Sequence, residues 1–372
     1  MRCLLSGGGT GGHIYPALAV VEEWKSASIS GDLPELEAVL YVGTAGGLES
    51  KIVTRAGVEF RAVQAGALRG LSPWRTLVNS WALLKGIVQA WRILRAFQPD
   101  VALATGGYAS VPVVMAAWLQ RCPVLIYLPD ILPGLAIRFL AHLARRVAVS
   151  FDASLSYFAS DKAVVTGYPV RQALYAGNRA EARKRLGLVP EGRVVLVLGG
   201  SRGAHSINQA VAGVLERMLS MAQVIHVAGE TDAAWLRERW DALPVDLRQH
   251  YHLHAYLHEG MTDALLAADL AVARAGAATM GEFAAVGLPS ILVPYPYAGR
   301  HQEANADFMV DHGAALKVPD HSLAEGALWP LLENLLVDEE RLRAMSDNAR
   351  KLARPGAARA IAQQLVLLAG GF

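Results

Sequence analysis

The chain has 372 residues, of which 53% are hydrophobic and 18% charged, and its formal net charge is +2. This length exceeds what one hydrophobic core usually serves, so two domains are expected, and the composition excludes a disordered chain. The two cysteines, Cys3 and Cys122, make neither a disulfide framework nor a zinc site and are typical of a reducing cytoplasm. No nucleic-acid motif or long basic tail occurs, so we expect no nucleic-acid partner.

The mean hydropathy is slightly positive, which raises the question of a membrane. The apolar runs, such as the one from Val111 to Leu119, stop well short of the roughly 20 residues that span a bilayer. A strand-like segment, Arg2 to Ser6, comes almost at once and is expected to leave no room for a signal peptide.

Short apolar runs alternate with helical patterns, which predicts parallel sheets with crossover helices. The strands predicted in the first half are Cys3–Ser6, Ala38–Val42, Phe60–Gln64, Val101–Ala104, Pro123–Leu128 and Val147–Val149. Those predicted in the second half are Val194–Leu198, Val224–Val227, Tyr251–His254, Leu270–Ala273, Ser290–Val293 and Ala315–Val318. The chain is predicted to be helical from about His321 onward.

Both halves open with a strand, a glycine-rich loop and a helix, so we predict an α/β fold of two doubly wound, Rossmann-like domains facing a central cleft. A linker is expected between Asp161 and Arg171, where Gly167 and Pro169 interrupt the pattern. The predicted first domain is residues 1–165, completed by the C-terminal helix 356–372, and the second is residues 166–355.

Three glycine loops follow predicted strands: Gly7 to Gly12, Thr105 to Tyr108, and Gly199 to Gly203. A glycine loop before a helix presents backbone N–H groups to an anion, so a phosphate or pyrophosphate is the expected ligand. A single glycine pair can equally make a tight turn, whereas the five glycines of the first loop favour phosphate. That loop lacks the Gly-Lys-Ser/Thr of a Walker A motif, and no acidic residue ends the second strand as in nicotinamide sites.

The glycine loops belong to a series of motifs that runs in order through nearly the whole chain. The first is Gly8-Gly9-Thr10-Gly11-Gly12-His13 with Pro16-Ala17-Leu18-Ala19, and the densest is Arg274-Ala275-Gly276-Ala277 with Glu282 and Gly287-Leu288-Pro289. The other motifs are Gly43-Thr44, Leu68-Arg69-Gly70, Pro99-Asp100-Val101, Gly106-Gly107-Tyr108, Gly167–Arg171, Gly199–Ala204, Ala268-Asp269, Pro294, Gln302 and Asn305. In all these motifs the chain resembles the MurG family of bacterial glycosyltransferases.

The resemblance implies the GT-B fold, with an acceptor site on the first domain and a donor site on the second. It implies inverting transfer of N-acetylglucosamine from UDP-N-acetylglucosamine (UDP-GlcNAc) to undecaprenyl-pyrophosphoryl-N-acetylmuramyl pentapeptide (lipid I), giving lipid II in peptidoglycan synthesis. The implied location is the cytoplasmic face of the cell membrane, as a peripheral protein. We expect no cofactor or metal, because the sequence has no Asp-x-Asp motif and no cluster of metal ligands.

The donor site is predicted around the helix that follows the strand Asp269 to Ala273. Small residues there let a nucleotide lie against the backbone, with the helix N-terminus facing its diphosphate. Glu282 is a candidate acceptor for both ribose hydroxyls, the alternative being a solvated helix glutamate. The resemblance extends the donor set, with Tyr256 and Leu257 beside the uracil and His301, where the family usually has glutamine, on the sugar. The other donor candidates are Thr10, Gly11, Gly12, Arg171, Ser201, Arg202, Arg274, Gly276, Ala277, Ala278, Thr279 and Gln302.

His13 is the best candidate for the catalytic base, because imidazole titrates near neutrality and follows the first glycine loop. Its alternatives are a ligand of the acceptor's pyrophosphate and a helix-start residue that caps locally. The acceptor and diphosphate candidates are Gly9, Thr10, Gly11, Gly12, Gly106, Gly107, Tyr108 and Asp130.

One segment departs from the family pattern. Where the family usually has His-Glu-Gln-Asn, this chain has Tyr127-Leu128-Pro129-Asp130. Either the contacts to the acceptor or the acceptor itself is then expected to differ, or catalysis is weakened.

The stretch from Leu71 to Phe97 predicts a helix with two apolar faces. One is the stripe Leu77, Trp81, Leu84, Val88 and Trp91, and the other is Leu83, Ile87, Leu94 and Phe97. One face must pack on the sheet as in any crossover helix. For the other face, tryptophan beside arginine and lysine favours contact with an anionic membrane surface.

Two other readings stay open. The chain is either a GT-B enzyme with a different lipid acceptor, such as diacylglycerol, or a UDP-sugar-binding scaffold that lost turnover. Retention of His13 and of the glycine loops argues against the scaffold. An N-acetylglucosamine 2-epimerase would need further carboxylates, a pattern that the sequence lacks.

Overall fold

The computed structural model describes residues 1–8, 11–66, 73–200, 203–257, 260–297 and 300–370, with side chains except at residue 48 and residues 73–79. The chain divides into two compact units. Unit 1 is Met1–Val170 with Arg354–Phe372, and unit 2 is Arg171–Ala353.

Unit 1 is built on a parallel sheet that has seven strands within the described residues, in the order β3-β2-β1-β4-β5-β6-β7. The strands are β1 (Arg2–Ser6), β2 (Ala38–Thr44), β3 (Glu59–Val63), β4 (Val101–Ala104), β5 (Val124–Leu128), β6 (Arg146–Val149) and β7 (Ala163–Val165). The helices are α1 (Gly11–Ile29), α2 (Leu48–Arg55), α3 (Pro73–Phe97), α4 (Ser110–Leu119) and α5 (Leu135–Leu143), with a short 3₁₀ helix at Asp152–Tyr157. Strand β1 pairs with both β2 and β4, and the strand order reverses there, which is where doubly wound sheets bind ligands.

Unit 2 repeats this plan with a parallel sheet of six strands in its described part, in the order β10-β9-β8-β11-β12-β13. The strands are β8 (Arg193–Leu198), β9 (Ala222–Val227), β10 (Tyr251–His254), β11 (Leu270–Ala273), β12 (Ser290–Leu292) and β13 (Ala315–Lys317). The helices are α6 (Ala173–Ala176), α7 (Arg179–Arg185), α8 (His205–Leu219), α9 (Ala233–Ala242), α10 (Val245–Arg248), α11 (Met261–Ala267), α12 (Ala277–Val286), α13 (His301–Asp311), α14 (Leu328–Val337) and α15 (Glu339–Lys351), with a 3₁₀ helix at Asp320–Leu323.

The last helix, α16 (Ala357–Leu368), belongs to unit 1 and packs along α1. It buries Ile361 and Leu365, and Arg359 forms ion pairs with Asp32 at 2.8 Å and with Glu23 at 3.8 Å. The helix that begins next to the first glycine loop is therefore covered by the C-terminal segment.

All twelve predicted strands are present, with ends that agree to within two residues. One prediction was wrong in part, because β7 lies inside the segment from Asp161 to Arg171 that was predicted to be a linker. This strand has only three residues and ends two residues before Gly167, so its apolar run is too short to stand out. Among the described residues, no helix is long and apolar enough to cross a membrane.

Helix α3 presents apolar side chains both to the core of unit 1 and to solvent, as predicted, but Trp91 of the predicted outer stripe packs against the core. Ala90 and Leu94 are fully buried in the core of unit 1, where Phe97 packs with them. Trp81 and Leu84, by contrast, are 62% and 55% exposed. Leu77 lies among the residues whose side chains are not described.

Candidate active site

In unit 1 the loops after β1 and β4 interlock at the point where the strand order reverses. Gly107 has a φ of +81°, and a Cβ there would lie 2.4 Å from the carbonyl oxygen of Gly8. The Tyr41 hydroxyl donates to the Gly7 carbonyl at 2.9 Å and anchors the first loop from below. The described glycines Gly7 and Gly8 of the first loop therefore lie against the second loop, in which Tyr108 is 56% exposed.

His13 lies in the first turn of α1, beside Gly11 and Gly12, and is partly buried. Its Nδ1 atom is 2.7 Å from the carbonyl oxygen of Thr105. Because a carbonyl can only accept, Nδ1 carries the proton and the lone pair of the neutral ring is on Nε2. This tautomer is the one that a base acting through Nε2 requires.

Two buried side chains, neither of them among the predicted site residues, support these loops. Thr105 has no exposed surface and bonds to His13 through both its carbonyl and its hydroxyl. Glu49 is 1% exposed and accepts hydrogen bonds from the N–H and the hydroxyl of Thr44, and a Cβ on Gly8 would lie 2.9 Å from its Oε1. Glu49 carries no sequence signal beyond its place two residues after a glycine pair.

The segment that departs from the family pattern is largely buried. Tyr127 is 1% exposed and its hydroxyl lies 2.6 Å from Ser150 Oγ, while Leu128 is fully buried. Asp130, just after β5, is partly exposed. Most of the altered residues are thus buried in unit 1. Asp130 is the partly exposed one, and its carboxylate is available to contact a ligand.

In unit 2 the candidate donor site centres on the start of α12. Gly276 precedes this helix with extended backbone, no described side chain caps it, and a Cβ on Gly276 would meet nothing within 4 Å. Ala277 is buried and Ala278 partly so. Backbone N–H groups of an uncapped helix start next to open space are suited to binding an anion.

Thr279 and Glu282 lie in the first turns of α12 and have different environments. The Thr279 hydroxyl donates to the Arg274 carbonyl at 2.9 Å, so it stabilises the turn before the helix. Burial raises the pKa of Glu282, and Arg171 acts in the opposite direction. The Arg171 guanidinium lies 3.8 Å from the Glu282 carboxylate, which brings two predicted donor residues together.

Arg274 is already bound within the protein. Its guanidinium is 11% exposed, pairs with Asp320 at 2.5 Å and donates to Ser206 Oγ at 2.9 Å. It also donates to the carbonyls of Val293 and Pro294 at 3.2 and 3.4 Å. Arg274 therefore ties the ends of β11 and β12 to the start of α8, a role that its place in a motif did not predict.

The other donor candidates surround these elements. Tyr256 and Leu257 follow β10 and are partly buried. His301 and Gln302 begin α13, and Gln302 accepts a hydrogen bond from the Tyr295 N–H at 2.9 Å. Four candidates, Gly9, Thr10, Ser201 and Arg202, lie outside the described residues, as does the motif Leu68-Arg69-Gly70.

No group of three or more His, Cys, Asp or Glu side chains among the described residues is arranged to hold a metal ion. His252 and His254 lie on β10, and burial lowers the pKa of both. Partly buried imidazoles with lowered pKa are typical of neutral structural histidines.

Two family models match the chain, the Glycosyltransferase family 28 N-terminal domain over residues 3–149 and the Glycosyltransferase family 28 C-terminal domain over residues 194–364. The chain belongs to glycosyltransferase family 28. Both glycine loops of unit 1 fall within the first match, and α8, α12 and α13 within the second.

Family 28 relatives match over nearly their full length. The UDP-N-acetylglucosamine--N-acetylmuramyl-(pentapeptide) pyrophosphoryl-undecaprenol N-acetylglucosamine transferase of Roseiflexus sp. (strain RS-1) is 41% identical, with 97% of this chain and 94% of that protein covered. The protein of the same name from Moorella thermoacetica is 39% identical, with 98% of each covered.

Solved structures agree on the fold. The crystal structure of Acinetobacter baumannii MurG superposes with a TM-score of 0.73 at 26% identity, covering 98% of this chain and 99% of that one. UDP-GlcNAc 2-epimerase from Neisseria meningitidis gives a TM-score of 0.70 at 15% identity, covering 99% and 100%, and at that identity shares the fold alone. The predicted resemblance to the MurG family and the predicted GT-B class are confirmed.

Proposed function

We propose that the protein is an inverting glycosyltransferase that moves N-acetylglucosamine from UDP-GlcNAc to the 4-hydroxyl of the N-acetylmuramyl unit of lipid I, forming lipid II. The observation that carries this proposal is the 41% identity, over 97% of this chain, to a curated transferase named for these substrates. The tautomer of His13 supports its role as the base, and the uncapped start of α12 supports binding of the donor diphosphate.

In the proposed reaction Nε2 of His13 takes the proton of the acceptor hydroxyl. The hydroxyl oxygen then attacks C1 of the donor sugar, the O4–C1 bond forms, and the bond from C1 to the β-phosphate oxygen breaks. UDP leaves with the electron pair of that bond, and the configuration at C1 inverts. A positioned base contributes about 10²–10⁴-fold to such a step.

The donor is proposed to lie on unit 2. The N–H groups at the start of α12 would bind the diphosphate and stabilise the charge that grows as UDP leaves. Glu282 would accept the two ribose hydroxyls, and Arg171 keeps a positive charge beside it. Tyr256 and Leu257 would hold the uracil, while His301 and Gln302 would contact sugar hydroxyls.

No metal or cofactor is part of the proposed mechanism, since helix starts and Arg171 supply the positive potential for the diphosphate. The expected result is full turnover in excess EDTA. Loss of turnover in EDTA that returns with Mg²⁺ would contradict this part of the proposal.

The acceptor site is proposed on unit 1, along the interlocked glycine loops, with Tyr108 and Asp130 beside them. One observation favours a second candidate acceptor. Asp130 places a carboxylate where the family usually has an amide, and it is the partly exposed member of the altered segment. A neutral lipid alcohol such as diacylglycerol brings no pyrophosphate to be repelled by this charge.

We also propose that α3 docks on the anionic surface of the inner membrane, facing the cytoplasm. Trp81, Leu84 and Val88 are at least half exposed, and together with Lys85 and Arg92 they line a shallow groove of about 310 Å³. Apolar side chains flanked by cations match the boundary between acyl chains and anionic headgroups.

The decisive experiment measures UDP release and sugar transfer with UDP-GlcNAc and either a lipid I analogue or diacylglycerol. Turnover with the lipid I analogue alone supports the main proposal. Turnover with diacylglycerol alone would favour the second candidate, and donor binding without turnover on either would leave a scaffold.

A further inference from the structure

Thr105 joins β4 to the second glycine loop and contacts His13 at two points. Its N–H donates to the Ser6 carbonyl at 2.9 Å, so its backbone is fixed by the pairing of β4 with β1. Its carbonyl accepts from Nδ1 of His13 at 2.7 Å, and its hydroxyl donates to the carbonyl of His13 at 2.6 Å. One buried residue thus holds both the ring and the backbone of His13.

The neighbouring glycines make room for this arrangement. A Cβ on Gly7 would lie 2.1 Å from Thr105 Oγ1, so a larger residue at position 7 would displace the hydroxyl. Gly106 has a φ of +104°, and a Cβ there would lie 3.3 Å from Cε1 of His13. The absence of a side chain at Gly7 and Gly106 therefore leaves room for Thr105 and His13, in addition to any role of these glycines in binding phosphate.

We propose that Thr105 is a positioning residue whose hydroxyl holds the backbone of His13, so that the ring stays against the Thr105 carbonyl in the tautomer and orientation of the base. The carbonyl retains the proton on Nδ1, so that Nε2 is the atom that accepts the proton of the acceptor hydroxyl. When the ring becomes an imidazolium, the carbonyl dipole stabilises its charge, as the orienting partner of a catalytic histidine does. This inference rests on the proposed function, in which His13 is the base.

Thr105→Val tests the inference because it removes the hydroxyl and retains the branched shape and the carbonyl. We expect kcat to fall about 10–100-fold, the cost of a slightly misplaced catalytic group. KM for UDP-GlcNAc should stay within about twofold, because Arg171, Glu282 and the start of α12, which are proposed to bind the nucleotide, belong to unit 2. Thr105→Ser keeps the hydroxyl and should restore most of kcat. If the valine variant does not fold, Thr105→Ala removes the hydroxyl without adding a methyl group against Gly7.

A spectroscopic readout separates positioning from general destabilisation. In ¹⁵N-histidine spectra, the Nδ1–H signal that disappears in His13→Gln should exchange with solvent faster in Thr105→Val than in the wild type. Ser28→Ala is the matched control, because it removes another hydroxyl that donates to backbone carbonyls, those of Trp24 at 2.8 Å and Pro34 at 2.9 Å, near the other end of α1. That variant should lower the melting temperature and leave the His13 signal unchanged.

Two results would overturn the inference: a folded Thr105→Val enzyme with kcat within twofold of wild type, or a lower kcat with an unaltered His13 signal. Retention of activity in His13→Ala is a different outcome. It would remove the base from the proposed function whatever the behaviour of Thr105.

Discussion

Nη2 of Arg171 lies 3.8 Å from Oε1 of Glu282, and the two side chains are 31% and 20% exposed. Arg171 opens unit 2 and Glu282 lies in the second turn of α12, so the pair joins residues that are far apart in the chain. The pair brings a guanidinium to the carboxylate that we assign to the ribose.

Glu282→Gln is expected to raise KM for UDP-GlcNAc about 10-fold, because hydrogen bonds to a charged acceptor contribute about 1.5–3 kcal/mol. Folding should not suffer, since burial raises the pKa of Glu282 and the neutral amide removes the cost of that buried charge. Steady-state kinetics and thermal unfolding check both statements. An unchanged KM would show that Glu282 does not contact the donor.

The same pair predicts a pH dependence of donor binding. A carboxyl group with a raised pKa becomes protonated as the pH falls towards that pKa, and its neutral form is a poorer acceptor. KM for UDP-GlcNAc should therefore rise on the acid side. In Arg171→Gln the opposing charge is gone, the pKa of Glu282 rises further, and the increase in KM should begin at higher pH. A shift to lower pH would contradict the pairing.

His13→Ala is expected to lower kcat about 10²–10⁴-fold, the usual contribution of a positioned base, with little change in KM for UDP-GlcNAc. His142→Ala is the matched control, because His142 is an exposed histidine of unit 1 whose ring nitrogen Nδ1 lies near the carbonyls of Arg138 and Phe139, one turn back on α5. Kinetics of both variants with a lipid I analogue check the prediction. A loss of only a few fold in His13→Ala would exclude the base role.

Arg274 and Asp320 are expected to act as one unit. Removing either partner leaves a largely buried charge, so Arg274→Gln and Asp320→Asn should each destabilise unit 2 by about 1–3 kcal/mol, with the double variant much less than additive. Urea unfolding of the three variants measures the coupling. If Arg274 instead touches the donor, Arg274→Gln will raise KM for UDP-GlcNAc far more than Asp320→Asn does.

The double substitution Leu84→Glu with Val88→Glu should lower binding to anionic vesicles at least 10-fold, because each apolar side chain contributes about 1.5–3 kcal/mol when buried. Turnover of a water-soluble acceptor should not change. Ile29→Glu is the control, since Ile29 is 90% exposed at the end of α1, on another helix of unit 1. An equal loss of vesicle binding in the double variant and in Ile29→Glu would show that α3 is not the membrane contact.

Acid should weaken unit 2 through His226. This fully buried ring lies 2.8 Å from the Tyr251 hydroxyl and 3.0 Å from Asn208 Oδ1, and burial lowers its pKa from 6.5 to about 3. Between pH 6.5 and about pH 3, His226 is protonated in the unfolded chain but stays neutral in the folded chain. Stability is therefore complete above pH 6.5 and falls by up to about 1.4 kcal/mol per pH unit as the pH drops towards 3.

His226→Gln should be less stable at pH 7 and lose less stability on acidification than the wild type. Hydrogen exchange of peptides that cover β9, measured from pH 7 to pH 4, checks this. His312→Gln, at an exposed histidine of the same unit, should behave like the wild type. Parallel acid profiles of His226→Gln and the wild type would refute the assignment.

The sequence predicted the sheets well because parallel strands covered on both faces are short continuous apolar runs. It also placed His13, Gly276 and Glu282 on elements that start next to glycine turns. It could not predict the contacts of Thr105, since a buried threonine after a strand has no pattern of its own. Nor could it predict that Arg274 is held by Asp320, because the two are 46 residues apart and meet only through the order of the strands.

Helix α16 has a consequence for synthesis on the ribosome. The face of α1 that it covers belongs to the helix that carries His13, yet α16 is translated only after the whole of unit 2. Unit 2 can therefore complete its fold while unit 1 still exposes an apolar groove, the reverse of the usual order in which the N-terminal domain folds first. A nascent chain stalled before Arg354 should hold a finished donor unit and a first unit that depends on chaperones.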